Sequence, residues 1–248
     1  MTVAVAGQLC CRFLLPADQL RSSTDLAGNY LQTFGGIYGI VVAFAIYVEW
    51  QQLNETQVTI EREAVALEEL FRLLHWLGGW KGRDRALQRF MGYANDASHS
   101  SVMVASQLIE AQRASLGETF EEFMSYLPTD PLESRLHDAA VELFHELNEA
   151  RERRRTIAGL RLPEGLRWFV FIGGAMTVSA LWLVYIESEA LQAVFTAGMT
   201  WVVVAISSIV IDLDNPYQGD FVVSWQRFGE AGALMKSIID RGDSRTTT

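Results

Sequence analysis

Few residues of this chain are spaced for chemistry, and metal ligands are the first to test. Glu142-x-x-His145 has the i, i+3 spacing that di-iron helix bundles use, and Asp96-x-x-His99 is a looser echo. Such a centre needs two Glu-x-x-His motifs and two further inward carboxylates. One copy is present, in a stretch rich in Glu and Arg, so the pair reads as a solvated helix face. His75 and His137 have no ligand spacing, and neither a metal nor a cofactor is assigned. Cys10 and Cys11 are adjacent, and neighbours rarely bridge, so no disulfide framework follows. They read as two small apolar residues, with palmitoylation near a membrane as the alternative. There is no G-x-S-x-G, phosphate loop, dinucleotide fingerprint, H-E-x-x-H or C-x-x-C, so no enzyme class is indicated.

The most distinctive polar stretch is Asp212-Leu213-Asp214-Asn215-Pro216-Tyr217-Gln218-Gly219. Two carboxylates at the C-terminus of an apolar helix oppose its macrodipole, at a cost of about 0.3–1 kcal/mol each. Three things can offset that: the arginines of 151–155 or 161–167, a solvated turn ended by Asn215-Pro216 and Gly219, or a hard cation. The ion pair or the turn is favoured over the metal. Glu49, Glu187 and Glu189 complete the acidic residues placed to meet an ion. Glu49 ends one apolar stretch, and the other two lie between two more.

Apolar elements must position these groups. Residues 34–50, 168–186 and 191–211 are 17, 19 and 21 long, and Glu49 is their sole charge. A bilayer core of about 30 Å takes around 20 such residues. Tyr38, Tyr47, Trp50, Trp168 and Tyr185 fall near the proposed ends, where aromatic rings favour the headgroup level. Gly35-x-x-x-Gly39, Gly173-Gly174 and Ala193-x-x-x-Ala197 permit close helix contact. Thr177, Ser179, Thr196, Thr200, Ser207 and Ser208 serve helix packing, with a polar passage as the other use.

Half of the residues are hydrophobic and 20% charged, and mean hydropathy is +0.12, which suits a few spans plus a polar middle. A net charge of −10 argues against nucleic acid, whose phosphates need clustered Lys and Arg. The tip at 187–190 has no basic residue. Arg151, Arg153, Arg154, Arg155, Arg161 and Arg167 precede the second span, and Arg227, Lys236, Arg241 and Arg245 follow the third. The positive-inside bias therefore puts the tip outside, and the middle region and C-terminus in the cytoplasm. Residues 2–11 are mostly small and apolar, without the positive start of a signal peptide. They read as the tail of an upstream membrane helix or as an interfacial segment. The first option gives four spans and both termini inside, and is preferred.

Residues 53–167 hold 14 of the 20 basic residues and read as helix almost throughout. Leu53, Ile60, Leu67 and Leu74 repeat every seventh residue beside Gln57, Ala64 and Phe71. Leu136, Leu143, Ala150 and Ile157 do the same beside Ala140 and Leu147. Each is an a/d seam that predicts lengthwise packing on another helix. A first helix is predicted from about Thr33 to Leu77, ended by Gly78-Gly79 and Gly82. Shorter helices are predicted over 83–112 and 118–126, split around Gly117. Pro128 to Pro131 turns the chain into the last helix, interrupted near Gly159 and Pro163. The fold class is all-α: a polytopic membrane helical bundle whose long helices extend into a cytoplasmic helical region. Its divisions are an N-terminal segment ending in an outside loop (1–33), a transmembrane helix (34–52) and the cytoplasmic helical region (53–167). A transmembrane hairpin (168–211) and a cytoplasmic C-terminal tail (212–248) follow.

A family resemblance rests on the order of these pieces. A Gly-rich span IYGIVVAFAIYVEWQQLNETQ leads into EREAVALEELFRLL. Then come ELNEARERRR, an apolar hairpin with the tip ESE, and IDLDNPYQGDFVVS. This resembles the bestrophin-like domain family of bacterial membrane proteins over about residues 12–230. The most specific pieces are Tyr38, Trp50 and Asn54 at the first-span junction and the exit motif Asp212, Asp214, Pro216, Tyr217 and Gly219. The chain departs from the family pattern over 90–120. The resemblance implies an upstream apolar helix, kinship with pentameric four-span channels, and a place in the bacterial inner membrane among lipids. No segment matches the bestrophin neck aromatics. Asp212 and Asp214 resemble the animal calcium clasp in character alone, so that role is not transferred.

Two functions fit. One is an oligomeric ion channel or channel-like pore, with rings of Glu49, Asp212 and Asp214 at the inner mouth and Glu187 and Glu189 outside. Carboxylate rings favour cations. The other is a non-conducting scaffold or signalling protein that acts through helix–helix contact.

Overall fold

A computed structural model describes residues 2–99, 105–217 and 219–246. Among them are eight α-helices: α1 (Thr2–Leu14), α2 (Ala17–Trp76), α3 (Arg83–His99), α4 (Ala105–Met124), α5 (Pro131–Gly159), α6 (Glu164–Ala180), α7 (Glu189–Leu213) and α8 (Gln226–Thr246). The all-α class read from the sequence is the observed one. The chain forms two units, residues 1–52 with 161–221, and residues 53–160 with 222–248.

In unit 1, Pro16 separates the first two helices, because its missing N–H and fixed φ cannot continue α1. Its carbonyl then accepts from Gln19 N at 3.0 Å and Leu20 N at 3.2 Å, which starts α2. The predicted outside loop before residue 33 is therefore helix. Leu20 and Ala27 are buried, and the hydroxyls of Ser22, Ser23 and Thr24 bond back to carbonyls of the preceding turn, so the polar run is compatible with helix. Tyr38, Val42 and Ala45 form the buried stripe of α2, against Leu162, Val170 and Val210. Tyr38 is thus a core residue and not part of a headgroup belt.

The second span begins and ends earlier than predicted. Pro163 precedes the first turn of α6, and after Ala180 the chain tightens into a 3₁₀ turn over Leu181–Leu183. Ser188 caps α7 by accepting from Leu191 N at 3.3 Å. Thr177 and Thr200 bond to Gly173 O and Thr196 O, carbonyls of their own helices, at 2.8 and 2.6 Å. Among the described residues, three helices are long and apolar enough to cross a bilayer, and most of each apolar stretch is not buried by the rest of the chain. Val194, Phe195, Trp201, Val204 and Ile211 of α7 are exposed, as lipid-facing residues are and a soluble core helix is not.

In unit 2, Thr56, Ile60, Glu63, Leu67, Leu70 and Leu74 are buried along one face of α2. Phe90 of α3, Phe123 of α4, Phe144 of α5 and Phe228 of α8 fill the same core. Asp130 caps α5, accepting from Leu132 N at 3.0 Å, with Pro131 in the first turn. The buried stripe of α5 is Ala140, Phe144, Leu147, Ala150, Arg154 and Ile157, while Leu136 and Leu143 are half-buried. Gly117 sits inside α4 and splits nothing: one glycine costs a helix only about 1 kcal/mol. The span of the predicted 83–112 helix across 100–104, the side chain of His99, Gln218 and the Thr247–Thr248 end lie outside the described residues. The predicted C-terminal tail contains α8, whose Phe228, Ala231 and Met235 are buried.

Candidate functional site

Leu213 is the last residue of α7, and the acidic pair of the exit motif flanks it. Asp212 Oδ2 accepts from the backbone N–H of Asp220 at 2.9 Å and of Phe221 at 3.1 Å. The chain reverses around that carboxylate at Gly219, whose φ of +112° suits glycine alone, and a Cβ there would overlap Asp212. Asn215 Oδ1 accepts from Tyr217 N at 3.3 Å, and Pro216 is buried. Asp214 Oδ1 accepts from Leu162 N at 2.7 Å, and its carbonyl takes a hydrogen bond from Arg161. The motif ties the end of α7 to the start of α6 through donors the sequence did not single out, the backbone N–H groups of 162, 220 and 221. Of the two arginine stretches considered, 161–167 supplies the contact.

Glu49 continues the buried stripe of α2 one turn past Ala45 and is 1% exposed. Its Oε2 has no hydrogen-bond partner, and Asp214 and Arg161 are the charged groups within electrostatic reach. It thus faces the interior of unit 1.

The opposite end of unit 1 carries Glu187 and Glu189. Both are exposed, 3.9 Å from Arg21 and 3.6 Å from Arg12 respectively. The two guanidiniums stand 4.9 and 5.3 Å from the centre of the Tyr185 ring, cation–π contacts that no sequence motif announces. Arg12 also donates to Gln192 Oε1 at 3.0 Å.

The packing glycines behave differently from one another. A Cβ at Gly173 would stand 2.6 Å from the Tyr38 ring, and one at Gly174 2.5 Å from Val203. These two glycines let Tyr38 reach across and donate to Val170 O at 3.0 Å. Gly35 and Gly39 have open space where a Cβ would be.

Unit 2 holds a charged cluster that sequence reading missed. Glu63 is fully buried, and Arg154 grips it with two hydrogen bonds, Nε to Oε2 at 2.6 Å and Nη2 to Oε1 at 3.2 Å. Tyr93 donates its hydroxyl to the same Oε1, and burial, then the Glu63 charge, pushes the phenol pKa up. Arg151 stands over the Tyr93 ring at 5.3 Å, and its Nε is 3.9 Å from Glu63. Nearby on α2, Glu68 accepts from Arg72 at 2.6 Å and Arg227 at 3.1 Å. A sequence signal existed: Glu63 occupies an apolar position of the 56, 60, 67, 70, 74 stripe, where a lone charge demands a partner. Glu142 and His145 are exposed on α5, the latter with its ring 5.6 Å from Phe120.

No curated protein matches this chain. Its fold matches crystal structures of a bacterial bestrophin homolog from Klebsiella pneumoniae. Two single-substitution variants give TM-scores of 0.72 and 0.73 at 9% identity, covering 96% and 94% of this chain and 98% and 97% of theirs. The structure of that homolog solved by Zn-SAD phasing gives 0.70 at 9% identity, covering 94% of this chain and 96% of the other. At such identity the likeness concerns the fold. The family model of the bestrophin-like domain matches residues 1–228, which span the α2 stripe, the apolar hairpin and the exit motif, and the chain belongs to that family.

Proposed function

We propose that the chain is the protomer of an oligomeric, cation-preferring pore of the bacterial inner membrane, a pentamer by analogy with bestrophins. The observation that carries this reading is the open face of α2. Within unit 1 this helix has a single buried stripe, so Gly36, Gly39, Ile40, Phe44 and Tyr47 are left uncovered. A face with glycines at helical spacing admits another helix closely, and a closed ring of protomers would cover it. The positive-inside bias supports an outward hairpin tip with 53–167 and the C-terminus in the cytoplasm. Glu187 and Glu189 are exposed beside Arg21 and Arg12, and a closed ring of protomers would gather them into an outer acidic ring that favours cations. Glu49, Asp212 and Asp214 act from inside each protomer, through their field and by fixing the inner ends of the spans.

The experiment is flux into liposomes that hold the purified full chain. Sodium and potassium should pass in preference to chloride, and Glu187→Gln with Glu189→Gln should reduce that preference severalfold. Chloride flux without sodium or potassium would remove the cation assignment. An intact oligomer that passes no ion would favour the scaffold, to which the same open α2 face lends itself.

A further inference from the structure

Two walls of unit 1 start from one polar junction. Arg21 of α2 donates to the Tyr185 hydroxyl at 3.3 Å, and Thr24 Oγ1 accepts from Tyr185 N at 3.1 Å. From that junction one wall follows α2 from Ser23 to Tyr30, and the other follows Leu183 back to Met176 of α6. A groove of about 640 Å³ lies between them. The small side chains of Ala27 and Ala180 form its buried floor, and Leu26, Tyr30, Met176 and Leu183 are its exposed rims. The Ser23 and Ser179 hydroxyls donate to carbonyls of their own helices, so the lining offered to a ligand is chiefly hydrocarbon.

Size and charge restrict the occupant. Ser23 to Tyr30 is about 10 Å of helix, a third of a hydrocarbon core of about 30 Å, so the groove stays within one leaflet. A helix of a second copy, about 10 Å across, needs more volume over that length than the groove holds, whereas an acyl chain fits. At the junction Arg21 stands 3.9 Å from Glu187, and both side chains are exposed. Such a pair is loosely held and presents one charge of each sign beside the groove. A purely anionic headgroup is repelled by Glu187, and a choline headgroup has no N–H to donate to it. A phosphate and a primary ammonium in one headgroup answer both charges.

We propose that this groove seats one phosphatidylethanolamine molecule, with an acyl chain between α2 and α6, its phosphate at Arg21 and its ammonium at Glu187. The seat lies wholly within unit 1 and does not depend on conduction. A headgroup at Glu187 leaves the outer ring of the proposed pore to Glu189, so the two readings fail separately.

Cys11 of α1 also lines the groove and supplies the probe. The test is the rate at which N-ethylmaleimide modifies Cys11 in the full-length Cys10→Ser protein, held in nanodiscs of phosphatidylcholine with or without a second lipid. Phosphatidylethanolamine should slow the modification severalfold. Phosphatidylglycerol, which brings phosphate without an ammonium, should slow it less, and Glu187→Gln should remove the difference between the two. Ser23→Trp, which fills the groove from α2, should make the rate insensitive to lipid, and phosphatidylethanolamine that copurifies with the Cys10→Ser protein should be lost from it in mass spectrometry. Equal rates in all three lipids overturn the proposal. So does slow modification in every lipid, which would mean that a second copy covers the groove.

Discussion

Asp212 ends a helix where its charge is unfavourable, and two backbone N–H groups compensate it. The loop that presents those groups depends on Gly219, because no L side chain tolerates both its φ and the nearby carboxylate. Gly219→Ala should therefore destabilise the protein by about 1–3 kcal/mol, read as a lower midpoint in thermal unfolding in detergent. A wild-type midpoint would show that the loop does not depend on Gly219. Glu63 invites a larger effect. Glu63→Gln removes the charge that Arg151 and Arg154 both face, and breaking such a cluster costs about 3–5 kcal/mol, which chemical denaturation of the purified protein would register. Tyr93 adds a pH dependence. Its folded pKa lies above the ordinary value of 10.0, so its contribution is complete below that pH and is lost as pH rises toward the folded value. Stability of the wild type should fall above about pH 10, and Tyr93→Phe should flatten that fall while being less stable at neutral pH.

At the scale of elements, the helices join through contacts their own patterns do not encode. α6 accepts the Tyr38 ring of α2 because positions 173 and 174 lack side chains. Gly173→Ala must displace that ring and its hydrogen bond to Val170, a small-to-large change costing about 1–3 kcal/mol. Tyr38→Phe, which keeps the ring and drops the hydroxyl, should cost less, and the two midpoints measured side by side test whether space or the hydrogen bond dominates. The heptads of α2 and α5 were legible because a 3.5-residue period is local information. The buried stripe of α5 nevertheless runs through Phe144 and Arg154 and spares Leu136 and Leu143, since neighbouring helices, not the repeat, decide which flank is covered.

At the scale of the whole molecule, the apolar surface exceeds what one chain covers. α2 and α7 present Ile, Val, Phe and Trp outward along their spans, which suits lipid, other copies of the chain, or both. Gly39 separates these cases. A Cβ there has nothing within 4 Å in the chain, so Gly39→Leu should leave its unfolding unchanged. If the α2 face packs against another copy, the same variant should shift the assembly to a smaller species in light scattering. An unaltered particle would assign that face to lipid.

Hydropathy and punctuation are properties of consecutive residues, so the sequence alone determined the helical class, the three apolar spans, the end of α2 before Gly78-Gly79 and the start of α5 at Pro131. The acidic exit motif was visible as an electrostatic problem for the same reason. Its solution was not, because the donors for Asp212 and Asp214 are backbone groups placed by a left-handed glycine and by a segment some fifty residues earlier. The Glu63 cluster joins α2 to residues ninety positions away in α5, and Glu49 turns inward through the register of three helices. Pairing across such separations depends on which helix faces meet, which is fixed by packing the whole core at once, so only the tertiary structure could decide it.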